Sequence, residues 1–452
     1  MKEYDFILVY AYKARELENI LLLKNELVRR GYSVKVEPFW KEGRPFSQNR
    51  AKVVVFQASN TAALECFSYH AKDLHRALLL KWEQIFSVER SKRRDIYQAI
   101  SGKAAETVSV AWGEKTYRRF IDLYGVPENN VRLTGHMSHD FLRDEFRSYF
   151  FSKEELCKKY GIDPSSDLYL YISSFTFNSI TEEELKSWRY LGSGHDVDSM
   201  KKLQTYSQTE TLRWIREALR KHPDTHFIYR PHPAELSNKE LLKFDREHPN
   251  FHVITDYSVK QWIIVCDKIY TWYSTSIGEI FAAHKPCRVI RPYPIPTDMD
   301  VECYQNARII SDYEEFEKDF SYVGTFEDDF PVPIEQMKSY YYIPDDTYTF
   351  RLVADACEDV YRKDEYYIED FPHVKKENVL KTAVKYAERE FLGRSRLCHA
   401  LSKKILKGTR FSRSVGINRD KAGKAKKHTA SRKEIRETER RIEKMLENSK
   451  FD

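Results

Sequence analysis

Arg230 and His232 stand in the stretch YRPHPAE (229–235), each next to a proline, Pro231 or Pro233. The apolar run HFIY (226–229) before them reads as a buried strand. Neither proline can donate to a sheet ladder, so the strand stops there. A cation and a titratable imidazole are then held on a rigid turn at a strand's C-terminal end. In open α/β sheets that edge is where ligands bind. Arg230 offers a planar fork for phosphate oxygens, and His232 can donate to a phosphate or protonate a leaving group. The competing reading is a proline-stiffened surface turn whose polar residues are incidental.

A second stretch bears on the choice. In IYTWYSTSIGEIFAAHKPCRVIR (269–291) an apolar strand ends, three hydroxyl residues follow, Ser274, Thr275 and Ser276, and a helix begins. Hydroxyls before a helix cap it, and the helix's first amides and positive dipole end attract phosphate. Glu279 lies three residues after Ser276, so the two also match a capping box. The alternative role for Glu279 is to accept from ribose hydroxyls. An Arg-His turn and a hydroxyl loop on two strand ends of one domain together point to a nucleotide site.

Group transfer also needs a carboxylate to meet an acceptor hydroxyl and positive charge to neutralise the leaving phosphate. The N-terminal candidates are Glu16 and Glu83. Glu16 opens a helix, where it also complements the dipole. Glu83 follows ALLLKW at a strand end. Arg15 beside Glu16 could bind an acidic sugar. DMD (298–300) falls in a proline-rich loop and reads as surface rather than as a metal-binding pair. His136 and His139 lack a third ligand, so no metal is assigned, and no cofactor is called for.

These residues need elements to position them. DFILVYAY (5–12), a helix stripe through Leu17, Ile20, Leu21, Leu27 and Val28, a stop at Gly31 and YSVKVEPF make a β-α-β unit. The alternation continues through AKVVVF, ALLLKW, TVSVAW and NVRLTG. A polar helical stretch, 146–166, breaks it. A second alternating set then runs from DLYLYISSF to CRVIRP, with helices expected near 207–222, 238–247, 258–265 and 275–284. The fold class is therefore α/β: two doubly wound Rossmann-like domains facing a cleft. The boundaries are 1–145 for an acceptor-side domain, 167–345 for a nucleotide-donor domain, 346–392 for closing helices and 393–452 for a basic tail.

The net charge of +6 is concentrated in that tail. Between 401 and 450 there are 17 Lys/Arg against 6 Asp/Glu, and the first 400 residues carry a slight acidic excess. The tail is expected to be partly disordered, with a charged helix in RKEIRETERRIEKMLEN. It could be a solvated extension or bind anionic membrane lipid. Nucleic acid is disfavoured, because the tail lacks aromatic interleaving and the body is acidic. Seven scattered cysteines without a CxxC pair, and no signal peptide or membrane-length apolar run, give a cytoplasmic expectation, peripheral at the inner membrane if the tail binds lipid.

With the proline-flanked histidine and the hydroxyl motif in hand, the chain resembles bacterial surface-carbohydrate biosynthesis proteins of the GT-B type. It is similar to CMP-sugar (sialyl and Kdo) transferases and to CDP-glycerol glycerophosphotransferases. KARELENILLLKNELVRRGYSV (13–34), AWGEKTYRRFIDLYGVPENNVRLTGHMSHDFLR (111–143) and LYLYISSFTFNSI (168–180) carry the likeness further. Where the family has TGNPRxD this chain has TGHMSHD (134–140), keeping Gly135 and Asp140. Where the family has an acidic DEEG segment it has KWEQ (81–84), keeping Glu83. The resemblance implies a metal-independent glycosyltransferase of capsule or lipopolysaccharide assembly. Its partners would be a nucleotide-activated sugar donor, CMP- or CDP-linked, and a glycan or lipid-linked acceptor. Arg230, His232, Ser174, Ser274, Thr275, Ser276 and Glu279 would hold the nucleotide, and Glu83, Glu16 and His232 would carry catalysis. The alternatives are a CDP-glycerol-type glycerophosphotransferase, a UDP-sugar epimerase of the same fold, and a non-catalytic binding scaffold, which the two altered segments favour.

Overall fold

The computed structural model describes residues 2–39, 49–81, 83–178, 197–232, 235, 239–373 and 427–448. The chain divides into two units. One draws on Met1–Gln84, Arg94–Met137 and Pro344–Asp452, the other on Ile85–Arg93 and Ser138–Ile343.

The first unit is built on six parallel strands: β1 (Lys2–Tyr10), β2 (Val34–Pro38), β3 (Asn49–Phe56), β4 (Ala77–Leu80), β5 (Val108–Ala111) and β6 (Val131–Leu133), in the order β2-β1-β3-β4-β5-β6. Phe6–Tyr10 and Val53–Val55 are wholly buried, as parallel strands covered on both faces must be. The helix Lys13–Arg29 ends in a Schellman arrangement. Gly31 takes φ +93°, its amide donates to the Val28 carbonyl at 2.9 Å, and the Tyr32 amide donates to Leu27 at 3.0 Å. Nothing lies within 4 Å of a Cβ built at Gly31, so the left-handed backbone, not space, selects glycine there.

The chain returns to this unit at its far end. The helix Thr349–Arg362 packs on the sheet, where the Tyr361 hydroxyl donates to Asp5 at 2.8 Å. The helix Arg432–Asn448, expected from its charge spacing, is formed, and it lies along Lys13–Arg29. Lys13–Glu434 and Lys24–Glu439, each 2.5 Å, tie the two helices, and Ile442 and Met445 are buried. The rest of the basic tail, 393–426 and 449–452, and the stretch 374–392 of the closing helices lie outside the described residues.

The second unit carries β7 (Asp167–Ile172), β8 (Thr225–Arg230), β9 (Phe251–Val253), β10 (Lys268–Thr271), β11 (Cys287–Ile290) and β12 (Ile309–Ile310), all parallel, in the order β12-β11-β10-β7-β8-β9. Both doubly wound sheets read from the sequence are thus present. This second sheet runs outward in both directions from β7 and β10, which makes their junction the topological switch point. Its core is aromatic: Tyr169, Tyr171, Tyr229, Tyr270 and Trp272 are fully buried, and Tyr171 and Tyr229 stack at 5.2 Å between centroids. The helix expected at 207–222 starts earlier and spans Val197–Lys221. β12 has only two residues, too short to read as an apolar run.

Candidate functional site at the carboxyl edge of the second sheet

Register places the predicted residues. Ile172 at the end of β7 pairs with Arg230 on β8 and with Thr271 on β10. Two residues beyond that row come His232, Ser174 and Tyr273, with the hydroxyl loop next. His232, Ser174 and Ser274–Ser276 therefore share one carboxyl edge, with Ser174 in the middle. Strand spacing near 4.8 Å separates the β8 and β10 ends by about 10 Å.

The loop after β7 is pinned from below. Gln204 and Gln208, one helical turn apart on Val197–Lys221, are both buried. Gln204 accepts the Phe177 amide at 2.7 Å, and Gln208 accepts the Asn178 side-chain amide at 2.8 Å. The Ser173 hydroxyl donates to Glu235 at 2.5 Å and receives the Tyr229 hydroxyl at 3.0 Å. The neighbouring Ser174 is only 7 % exposed, yet among the described residues its hydroxyl has no hydrogen-bond partner. A buried hydroxyl without a partner is unfavourable unless something else completes it.

The turn carrying His232 is anchored by a residue the sequence reading passed over. Glu235 closes YRPHPAE and is 1 % exposed. Its carboxyl accepts from Ser173, from Tyr229 at 3.1 Å and from Gln208 at 3.3 Å, and its amide donates to the His232 carbonyl at 2.8 Å. Burial pushes its pKa up to about 7, with the Ser173 and Tyr229 hydroxyls pulling the other way. A carboxylate after two prolines reads as surface; the available signal was its place inside the motif itself. His232 is exposed beyond this anchor.

Arg230 is engaged with the backbone. Its guanidinium donates to the carbonyls of Ile254 (3.2 Å), Asp256 (2.7 Å) and Tyr257. Burial lowers its pKa to about 10. It fastens the turn to the loop after β9 and offers its fork to carbonyls.

The hydroxyl loop differs from a simple helix cap. The helix is only Ile277–Ala282, and Ser276 sits in helical conformation with no side-chain capping bond. The amides of Ser276, Ile277 and Gly278 already donate, to Ser274 Oγ (3.2 Å), the Ser274 carbonyl (3.2 Å) and the Thr275 carbonyl (3.3 Å). These three amides are therefore occupied, and the loop adds hydroxyls to the edge. Two tyrosines hold it: Tyr304 donates to the Ser274 carbonyl at 2.6 Å and Tyr341 to Thr275 at 3.5 Å. Gly278 permits this approach, because a Cβ there would meet the Tyr341 ring at 2.6 Å. Glu279 is half-buried and receives the Ser138 hydroxyl at 3.5 Å. Of the DMD loop, Asp300 is buried in a bidentate pair with Arg291, 2.6 and 2.8 Å, whose Nε donates to the Trp272 carbonyl at 3.0 Å.

The two N-terminal carboxylates lie in the first unit and differ from each other. Glu16 is fully buried. It accepts the amides of Ala11 (2.5 Å) and Tyr12 (3.0 Å) and the Arg15 guanidinium (3.0 Å), and burial leaves its pKa raised despite them. It secures the turn from β1 into the first helix. Glu83 is half-buried and accepts the Gln98 side-chain amide. Beside it Lys81 is buried, donates to the Gln98 carbonyl, and is pushed down to about 8 by desolvation.

No protein-family model matches the sequence, and no curated protein matches it. Solved structures do. The wall teichoic acid polymerase TagF, in a variant with one histidine replaced by asparagine, matches with a TM-score of 0.52 at 10% identity, over 79% of this chain and 89% of that one. The same variant soaked with CDPG gives 0.50 at 10% identity over the same shares. A UDP-N-acetylglucosamine 2-epimerase gives 0.47 at 11% identity, over 80% and 95%. In fold, this chain is similar to the GT-B-type polymerase TagF.

Proposed function

We propose that the chain is a transferase of surface-polysaccharide assembly that draws on a nucleotide-activated donor held at the carboxyl edge of the second sheet. The observation that carries this reading is the unpaired, buried Ser174 hydroxyl at the β7–β10 switch point, flanked by His232 and by the Ser274–Ser276 loop. Donated hydroxyls there, and an imidazole that carries positive charge when protonated, suit phosphate oxygens. A span of about 10 Å between the flanking groups suits a diphosphate better than a monophosphate. That orders CDP ahead of CMP, and the fold neighbour soaked with CDPG agrees with it. Glu279 is assigned to the ribose, and Arg230 to fixing the turn that carries His232.

In the transfer, an acceptor hydroxyl oxygen bonds to the donor's reacting centre, the anomeric carbon of a sugar or the phosphorus of a glycerophosphoryl group. The bond to the nucleotide breaks with its electron pair on a phosphate oxygen. His232 donates a proton or a hydrogen bond to that oxygen. The acceptor's proton goes to a carboxylate, for which Glu83 is better suited than the fully engaged Glu16. A glycan or lipid-linked acceptor is assigned to the first unit. Among the described residues no helix is long and apolar enough to cross a membrane. A cytoplasmic site with peripheral attachment through the basic tail is the proposed location.

The test is a thermal-shift series with CDP, CMP, UDP and GDP. Saturation at about a hundredfold over Kd adds about 2.7 kcal/mol, which is a rise of several degrees. CDP is expected to give the largest rise, CMP the next. No rise with any of the four overturns the reading. A second reading, a nucleotide-binding scaffold without turnover, draws on the complete engagement of Glu16; nucleotide binding with no product across an acceptor panel would select it.

A further inference from the structure

Behind the hydroxyl loop, at the carboxyl ends of β11 and β12, lies a cavity of about 680 Å³. That is within the roughly 300–1,000 Å³ of small-molecule sites. It shares a wall with the nucleotide edge: Tyr304 lines it and donates to the Ser274 carbonyl, and Arg291 lines it and donates to the Trp272 carbonyl.

Its chemistry is unlike that of a phosphate site. Arg291 and Asp300 are the charged residues among those that line it, and they neutralise each other in their buried bidentate pair. The remaining polar groups are neutral: Thr297, Gln305, Asn306 and Ser311. All four are exposed, so the cavity reaches solvent. Asn306 is held at φ +64°, in the left-handed region that asparagine tolerates better than most residues. The turn before it is pinned by Gln336, which donates to the carbonyls of Cys303 (3.1 Å) and Gln305 (2.7 Å). Two carboxamides and two hydroxyls beside a tyrosine make both donors and acceptors available without charge. Vicinal hydroxyls of a sugar or polyol present the matching pattern.

We infer that this cavity is a subsite for a neutral polyhydroxylated ligand, a sugar or polyol segment of the substrate, adjoining the nucleotide. The inference rests on the reading of the edge as a nucleotide site for its role, but not for its binding. Two sources share this chemistry: the group attached to the donor, and a free glycan acceptor.

The experiment compares the whole chain with a triple variant, Thr297→Val, Gln305→Ala and Asn306→Gly, the last keeping the left-handed backbone. Circular dichroism and melting first establish that the variant is folded. Ligand-observed saturation-transfer NMR is run with maltotriose, chitotriose and ribitol, and binding of CDP-glycerol against CDP and of UDP-GlcNAc against UDP is measured by calorimetry. The expected result is saturation transfer to a free sugar or polyol that weakens by at least roughly tenfold in the variant, with the CDP thermal shift unchanged. If free sugars give no signal, but a nucleotide-linked group adds affinity that the variant loses, the subsite holds the donor's own group. No signal from free sugars and no gain from the linked groups overturns the inference and leaves the nucleotide reading standing. A CDP shift lost in the variant also overturns it, because the cavity would then belong to the nucleotide. Sugar binding with no nucleotide binding would sink the function proposed above and leave the subsite intact.

Discussion

The two parallel sheets end in carboxyl edges of opposite character. At the first, polar side chains close on their own backbone. Glu16 takes the Ala11 and Tyr12 amides, and Gln84 bridges the Val110 carbonyl (2.9 Å) and the Trp112 amide (2.8 Å). Asn19 departs from this pattern: it is buried with its amide unpaired among the described residues, beside a cavity of about 10 Å³ that is no larger than one water. The second edge carries a buried hydroxyl, a loop of three hydroxyl residues and an exposed imidazole, with a cavity of about 680 Å³ behind the hydroxyl loop. One topology supports both outcomes. Where side chains satisfy the backbone, the edge is a structural joint; where hydroxyls are left over, it is the edge proposed above to take a ligand.

That contrast can be tested from its largest consequence down. His232→Ala is expected to lower transfer by a hundredfold or more, roughly 10²–10⁴, without moving the melting temperature; full activity would remove the second edge's claim to chemistry. Glu16→Ala should do the reverse. It removes the carboxylate that accepts the buried Ala11 amide and the part-buried Tyr12 amide and should destabilise by about 1–3 kcal/mol in denaturant titration, and a neutral result would show that the first edge is less self-dependent than its bonds suggest. Glu235→Gln probes the anchor under the His232 turn. The folded carboxyl keeps its proton to a pH of about 7, while the unfolded one loses it near 4.5. The stability this contributes is complete below the unfolded value and is lost as pH rises through the folded value, up to about 3 kcal/mol. The glutamine variant should flatten that slope between those limits, and an unchanged slope would remove Glu235 as its source. Ser174→Ala is the mildest change. It removes an unpaired buried group, so stability should hold or rise slightly, while nucleotide affinity should fall by about 1 kcal/mol, some fivefold. A loss of stability with affinity intact would make Ser174 an ordinary core residue.

The sequence exposed what depends on local pattern. Strands buried on both faces read as unbroken apolar runs, so Phe6–Tyr10 and Leu168–Ile172 were visible, and Gly31 announced its helix end. Ile309–Ile310 was not visible, since two residues make no run. The first ten residues of Val197–Lys221 were not, because the side chains that bury there include Gln204, which a hydrophobic stripe does not register. For the site, strand-end position pointed to His232 and the hydroxyl loop, while Ser174 entered only through the family resemblance. It did not reveal how each residue is used. Arg230 looks like an anion ligand until the loop after β9 supplies three carbonyls, and Ser276 matches a capping box until the turn before it takes up the amides. Glu235 was hidden for the same reason: only tertiary contacts with Ser173, Tyr229 and Gln208 make it an interior residue.

The return of the chain to its first unit sets an order of assembly on the ribosome. The sheet β1–β6 is fully synthesised once Leu133 emerges, yet the helix Thr349–Arg362 that packs on it is more than two hundred residues away, and Arg432–Asn448 later still. The stretch Ser138–Ile343 lies wholly between those points, so it can reach its native form while its elder neighbour still waits with an uncovered face. A nascent chain arrested before Thr349 should therefore protect the residues of Ser138–Ile343 from protease first, and chaperones should meet the amino-terminal unit for longest.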